Sequence, residues 1–484
     1  MSSPELFIYG ASPAGLGAAL TAAREGLRVL VAEPWGQIGG MVTGGLGRTD
    51  LGRPETVGGV FREFMDRVVR HYAARYGADS AQVKDCSGGE RFEPSVAKQV
   101  LTEMLAEAGV EVLLRRAVAS AEVDAGAVTS VTLESGERIS ADAFVDASYE
   151  GDLLAAAGAR YRVGRESRSE YGEEYAGHLF WDPSKGRSTE HGTGEGDDRV
   201  QAYCFRLCLT DREEHRFPIE QPPDYDPARY GLLRAYLAAA PRRLKDVLLL
   251  GQLPNGKWDV NNWGFCWQSM DLIEGNAGYV EGDWTTRRDI ARQHREYQQG
   301  LLYYLQHDPS VPSDLRAEAA RLGLCRDEFA ESGGWPEQLY VREARRLIGR
   351  HIFTEHDARR GRTKSDSVAV GSYPLDSHAT QWYRPGQPTP APEGFFMCST
   401  KPYEIPFGSL QPESLANLLV PVCLSATHAG YGTLRMEPVM MNLGMACGLA
   451  AALAKRHGCA VSDVAAEELQ RELETRGQVI RAPL

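Results

Sequence analysis

Residues 6–33 read LFIYGASPAGLGAALTAAREGLRVLVAE, and their order decides the fold. Leu6–Tyr9 is a short apolar strand closed by Gly10. Pro13–Glu25 is rich in Ala and Leu, has no proline after Pro13, and stops at Gly26, a favoured residue just past a helix. Leu27–Ala32 returns to an apolar strand ending at Glu33. A strand–turn–helix–strand unit with Gly10, Ser12, Ala14 and Gly15 in its turn places backbone N–H groups and a helix N-terminus where a pyrophosphate can bind. Gly10 supplies the tight turn, and Gly15 lets the helix lie close to the strand. Glu33, about twenty residues on, stands where an acid accepts hydrogen bonds from an adenosine ribose. Ser12 replaces the usual second glycine and can offer its hydroxyl to a phosphate oxygen. A phosphate-free glycine turn is the competing reading.

Working outward, a second glycine cluster follows in GGMVTGGLG, residues 39–47. Pro94–Ala108 has the pattern of an amphipathic helix leading into a strand at Val110–Leu114. Alternation at Ala117–Val123 and Val128–Leu133, around the turn Asp124–Gly126, predicts antiparallel strands, and Ala143–Val145 predicts another strand. Residues 165–200 read as a polar excursion. Helices are expected over Asp283–Leu305 and Gln338–Arg350. The prolines at 385, 388, 390 and 392 mark a loop. α/β patterning returns with a strand at Leu418–Leu424 and a helix, rich in small residues, over Pro438–His457. The expected fold class is α/β, with a Rossmann-like dinucleotide domain in two pieces, 1–160 and 400–484. An α+β substrate domain at 161–399 is inserted between them.

The charge of −13 over 484 residues argues against nucleic acid as a partner, because phosphates need clustered Lys and Arg. The start, MSSPELFIYG, has no basic or apolar leader region, and the apolar run Leu443–Ala454 is short for a bilayer, so no membrane partner is expected. Nine scattered cysteines fit free thiols in a reducing cytoplasm. Cys204 and Cys208 could share a face, but no second pair at ligand spacing accompanies them, so no metal is expected. A small-molecule substrate is the expected partner; the oligomeric state is open.

The glycines of residues 39–47 lie just past the ribose acid, where bulk would block a cofactor. Arg435-Met436-Glu437-Pro438 opens the last long helix, with proline suited to its first turn. That helix N-terminus favours negative charge by about 0.3–1 kcal/mol, and Arg435 adds to it; an ordinary capped helix is the competing reading.

Eight stretches, FIYGASPAGLGAALTAAREG, VAEPWGQIGGMVTGGLGRTDLG, FVDASYEGDLLAAAGARYRVGRES, QAYCFRLCLT, LPNGKWDVNNW, QLYVREARRLIG, SVAVGSYPLDSHAT and LLVPVCLSATHAGYGTLRMEPVMMNLG, run in order along nearly the whole chain. Together they resemble the bacterial FAD-dependent oxidoreductase family of the glutathione-reductase-like superfamily, on the branch allied to fumarate reductase flavoproteins. The resemblance implies tightly bound FAD. It places Gly10, Ser12, Ala14 and Gly15 at the pyrophosphate, Glu33 at the ribose and Val118 at the adenine. Gly40, Met41 and Gly45 would line the phosphates and flavin, Ala147 and Glu150 would reach the cofactor from a strand end, and Arg435 and Met436 would face the flavin. No His, Cys or Tyr lies in Gly36–Asp50 for covalent attachment.

The one candidate for a second nucleotide fingerprint, Gly192-Thr-Gly194-Glu-Gly196, follows no apolar strand and reads as a loop. No CxxC supports thiol–disulfide exchange. Substrate oxidation by hydride transfer to flavin remains, with oxygen or another acceptor restoring it, and a place in secondary metabolism is in keeping with that. Such chemistry needs a base and often a cation. His378, with Asp376 nearby to orient it, is the first candidate base and His428 the second. Arg345 and Arg342, three apart on the expected helix, and Arg206 in an apolar run are candidate carboxylate clamps. A flavin monooxygenase driven by external NAD(P)H and a non-catalytic FAD-binding scaffold are the alternatives.

Overall fold

The computed structural model describes residues 3–182, 187–189, 191–360, 363–387 and 390–483. Pro388 and Thr389, within the expected proline loop, lie outside them. The first unit forms as the sequence requires: β1 (Leu6–Tyr9), α1 (Pro13–Arg24) and β2 (Val29–Glu33). β1 is the middle of a five-stranded parallel sheet ordered 418–419, 143–146, 6–9, 29–33, 111–114. One edge strand is thus supplied from the far end of the chain. All strands point one way, so their carboxyl ends share a crevice, the usual ligand position in such sheets.

The C-terminal helix Glu437–His457 closes this sheet's helical layer against α1. The two helices meet backbone to backbone. A Cβ on Gly444 would stand 1.9 Å from the Ala14 carbonyl oxygen, one on Gly448 2.3 Å from that of Ala18, and one on Gly17 2.2 Å from that of Met441. With 21 residues the helix is long and apolar enough to cross a membrane, but its apolar stretch is enclosed by protein and only Lys455, Arg456 and His457 at its end are exposed. The apolar segment is therefore longer than its sequence pattern suggested, and it is a core helix.

The expected hairpin forms from Val118–Asp124 and Ala127–Leu133, turning at Ala125 and Gly126, both with positive φ. Between the two pieces lies a five-stranded antiparallel sheet ordered 216–217, 323–325, 207–210, 257–262, 248–253. The long helix Trp284–His307 packs beside it, capped by Asp283, which accepts from the Thr286 N–H at 2.8 Å. Strand Ser367–Gly371 pairs with Tyr403–Pro406 and packs on helix Glu437–His457, so chain from before residue 400 joins the C-terminal piece.

Two expectations differ. Only Leu418–Leu419 of the expected 418–424 strand pairs in the sheet; Pro421 has no N–H to continue the ladder. Residues 338–350 form no helix, only the short strand Arg346–Leu347 in otherwise extended chain. A helix would place Arg342, Glu343, Arg345 and Arg346 around one cylinder. Extended chain instead lets them reach partners distant in sequence, Arg342 to Asp271, Glu343 to His428, Arg345 to Asp152, and Arg346 to Glu166, with Arg346 also on Glu343. Tertiary ion pairing overrides helix propensity here.

Replacing Gly444 by Ala should lower unfolding stability by about 1–3 kcal/mol, the usual cost of forcing extra volume into a packed interior. Thermal unfolding of the purified variant measures this. A melting temperature equal to that of the parent protein would show that the two helices are not in backbone contact.

Candidate functional site

The glycine turn is built as a close approach of backbones. Gly10 has φ +97°, and a Cβ there would lie 2.6 Å from the Ala147 carbonyl. A Cβ on Gly15 would stand 1.9 Å from the Gly10 oxygen. The Ala147 N–H donates to the Tyr9 oxygen at 2.7 Å, fixing the next strand end against the turn. Ser12 caps α1, its Oγ accepting from the Gly15 N–H at 3.3 Å, while Ala14 sits in the first helical turn. Glu33 accepts from the N–H groups of Ala11 at 2.6 Å and Trp35 at 2.8 Å, which leaves carboxylate lone pairs for ribose hydroxyls. Burial pushes its carboxyl up to about 8. The Arg116 N–H donates to the Glu33 backbone carbonyl oxygen at 2.8 Å and so brings Val118 alongside.

The second glycine cluster has tertiary reasons as well. Gly40 has φ +50°, a Cβ there would meet the Tyr149 hydroxyl at 2.4 Å, and the Met41 N–H donates to that hydroxyl at 3.0 Å. Gly45, with φ +111°, passes so near Arg206 that a Cβ would lie 1.9 Å from its carbonyl oxygen. Its glycine therefore joins the N-terminal segment to the inserted sheet. Glu150, whose carboxyl burial raises to about 7, accepts from the Tyr279 hydroxyl at 3.0 Å.

At the start of helix Glu437–His457, Met436 is the buried N-cap residue. Arg435 donates to the Tyr340 hydroxyl at 2.9 Å and to Asp376 Oδ2 at 3.2 Å, and its Nε has no partner. Both carboxyl oxygens of Glu437 are also buried without partners, and burial raises that group to about 8. Unpaired buried polar groups are costly unless a ligand completes them. Beside a positive helix end and the glycine turn, they fit the polar edge and phosphates of a flavin nucleotide.

Against these elements lies a cavity of 440 Å³ bounded by Arg48–Gly52 on one side and by Arg206, Tyr340, Asp376, His378 and Arg435 on another. Arg206 pairs with Asp259 through two hydrogen bonds at 3.0 and 2.5 Å, which supplies the partner a buried guanidinium needs. His378 Nδ1 lies 2.6 Å from Asp271 Oδ2, and its Nε2 makes no hydrogen bond to a described residue. The orienting acid is thus Asp271 and not the nearby Asp376, which is held by Arg435. Burial, and then the Arg342 charge, lower the His378 pKa against the opposing pull of Asp271, so the ring is neutral at pH 7.

His378, Arg206 and Arg435 are brought together; His428 and Arg345 are not part of the cavity wall. His428 lies 2.8 Å from Glu343 through Nδ1 and 3.2 Å from Ser377 Oγ through Nε2, with both ring nitrogens engaged. Arg345 donates to Asp152 and Glu281. Asp271, Asp259 and Tyr340 were not singled out by the sequence, because each acts through a partner distant along the chain. Cys204 meets Arg342 and Cys208 faces Cys325, so they share no ligand position. Glu93, Asp327 and Glu328 converge on Lys257 Nζ at 2.7–2.8 Å, which occupies their centre with its own positive charge.

Residues 5–473 match the FAD dependent oxidoreductase family. The chain belongs to that family. FAD is therefore its cofactor, and the two-piece parallel-sheet unit is its Rossmann-like FAD-binding domain. No curated protein matches the chain. Among solved structures, it is similar to CabE, an aromatic hydroxylase from angucycline biosynthesis, at 16% identity over 54% of this chain and 43% of that one, with a TM-score of 0.27. It is also similar to a flavin monooxygenase mutant from Stenotrophomonas maltophilia, at 16% identity over 30% and 38%, with a TM-score of 0.22. A further likeness is the anhydrotetracycline hydroxylase OxyS from Streptomyces rimosus, at 19% identity over 37% and 40%, with a TM-score of 0.23. The chain spans less than half the length of these proteins.

Replacing Gly15 by Val should yield protein that loses FAD on gel filtration, since its side chain enters the space of the Gly10 carbonyl. Flavin absorbance per protein, compared with that of the parent, measures the loss.

Proposed function

We propose that this protein is an FAD-dependent dehydrogenase or oxidase that removes a hydride and a proton from a small molecule bound between Arg206, Asp376, His378 and Arg435. The observation that carries this reading is the Asp271–His378 pair at the cavity wall, next to the segments assigned to the flavin. On this reading residues 1–160 and 400–484 form the FAD-binding domain, and 161–399 supply most of the substrate cavity. Gly10, Ser12, Ala14, Gly15, Glu33, Val118 and Ala147 hold the adenosine and pyrophosphate, while Gly40, Met41, Arg435 and Met436 border the ring.

When bound, FAD accepts hydride. The protein's own part is to position the substrate and take its proton. Asp271 accepts from His378 Nδ1, which fixes the tautomer with Nε2 free as base. A neutral imidazole at pH 7 takes the proton of a substrate O–H or N–H. Arg435 and Arg206, each anchored by an acid, then hold the substrate's polar end without leaving an unbalanced buried charge. Among the described residues there is one parallel sheet, and Gly192–Gly196 is irregular chain in a polar excursion.

An anaerobic screen of candidate metabolites against the yellow holoprotein should find one that bleaches the flavin; bleaching by NAD(P)H alone would favour the monooxygenase reading. His378→Ala should keep bound FAD yet slow its reduction by about 10²–10⁴-fold, and an unchanged rate removes His378 from the mechanism.

The pH dependence follows from the lowered His378 pKa. The base form persists to pH values below the ordinary imidazole range, so kcat/KM should fall only there. Asp271→Asn removes the group that raises the pKa, and should move that limb to still lower pH while reducing kcat. Stopped-flow reduction across pH measures both effects.

A further inference from the structure

Arg342 reads in the sequence as a clamp for a substrate carboxylate. Its side chain is fully buried and is not part of the cavity wall, and the carboxylate it meets is the protein's own. Arg342 Nη1 lies 2.9 Å from Asp271 Oδ1, and His378 Nδ1 lies 2.6 Å from Asp271 Oδ2. One buried carboxylate is thus shared between a guanidinium and an imidazole. Asp271 Oδ1 accepts no aligned hydrogen bond, so the Arg342 contact is an ion pair. The guanidinium is held in place by other partners. Nη1 donates to the Ala202 carbonyl at 2.5 Å, Nη2 donates to Cys204 Sγ at 3.0 Å and to Asn261 Oδ1 at 3.3 Å, and Cζ stands 4.6 Å from the centre of the Tyr340 ring. The acid is seated too, its backbone N–H donating to Asn262 Oδ1 at 3.0 Å.

With a neutral imidazole, this trio carries one positive and one negative charge. A proton on His378 adds a second positive charge, which a single carboxylate cannot offset in a buried site. The other charged groups around the base are already engaged. Asp376, on the base's own strand, is held by Arg435, and Arg206 across the cavity by Asp259. Asp50 accepts from the Tyr373 hydroxyl, and Glu343 pairs with Arg346 and His428. His294 on helix Trp284–His307 is neutral, since burial lowers it to about 4. Burial pushes the Asp271 carboxyl up, but Arg342 and then His378 pull it below the ordinary range.

We infer that Arg342 is a positioning residue for the proton transfer: it holds Asp271 ionised against His378 and so keeps the base neutral, protonated on Nδ1 and open at Nε2. This deepens the oxidase reading of the cavity and rests on it for the base's role. Arg342 touches no substrate and acts through Asp271 and His378 alone.

The test needs no substrate. Holoprotein carrying ¹³C- and ¹⁵N-labelled histidine is titrated by NMR, and the His378 signals are those lost in His378→Ala. In the parent protein His378 should be neutral at pH 7 with its proton on Nδ1. Arg342→Gln removes the repelling charge, so the titration midpoint should rise and the preference for Nδ1–H should weaken. Arg342→Lys keeps the charge and should leave the midpoint low. Asp271→Asn should move the midpoint down. Should Arg342→Gln fail to fold because Asp271 has lost its counter-ion, the double variant Arg342→Gln/Asp271→Asn removes both charges, and its midpoint should lie above that of Asp271→Asn. A midpoint and tautomer in Arg342→Gln equal to the parent's, or a double variant that titrates with Asp271→Asn, would overturn the inference. The expected shifts together with flavin reduction that His378→Ala leaves unchanged would uphold the charge coupling and overturn instead the oxidase reading.

Discussion

The structure depends on one contact, the backbone approach of helix Pro13–Arg24 to helix Glu437–His457. Three glycines stand where any side chain would meet a carbonyl oxygen of the opposite helix, at 1.9 to 2.3 Å. This contact sets the N-terminus of the second helix beside the glycine turn at the N-terminus of the first. Arg435 and Glu437, more than four hundred residues from Gly10, thereby come to border the same crevice. The edge strand Leu418–Leu419 joins the sheet begun at Leu6 from the same late part of the chain.

Much of this was legible in the sequence, for physical reasons. The strand–glycine–helix unit is local, so its spacing alone specifies it, and helices such as Pro94–Ala108 announce themselves by period and cap. The run of small residues at 444–451 also signalled close packing, though not its partner. What the sequence hid was tertiary pairing of charge. Residues 338–350 have good helix formers, yet extended chain wins because their charged side chains reach partners distant along the sequence. The same blindness affects the base. Asp376 is near His378 in sequence, but Asp271, 107 positions away, is the acid that orients it.

The glycines between 39 and 47 carry a related lesson. Their presence reads as space for a cofactor, and their position beside the crevice agrees with that. Gly45, however, is demanded by the carbonyl of Arg206. A residue expected to make room for a ligand also lets the 39–47 segment pass against the backbone of Arg206, a residue of the cavity wall.

The helix pair also bears on how the chain is made. During synthesis the Ala- and Gly-rich face of helix Pro13–Arg24 emerges long before residue 437 has been translated. Its natural cover arrives only after more than four hundred further residues. The nucleotide fold therefore cannot finish from its first half outward, and closing so wide a loop is slow by nature. A nascent chain of this kind holds an apolar, sticky surface open at the ribosome, where chaperone capture competes with aggregation.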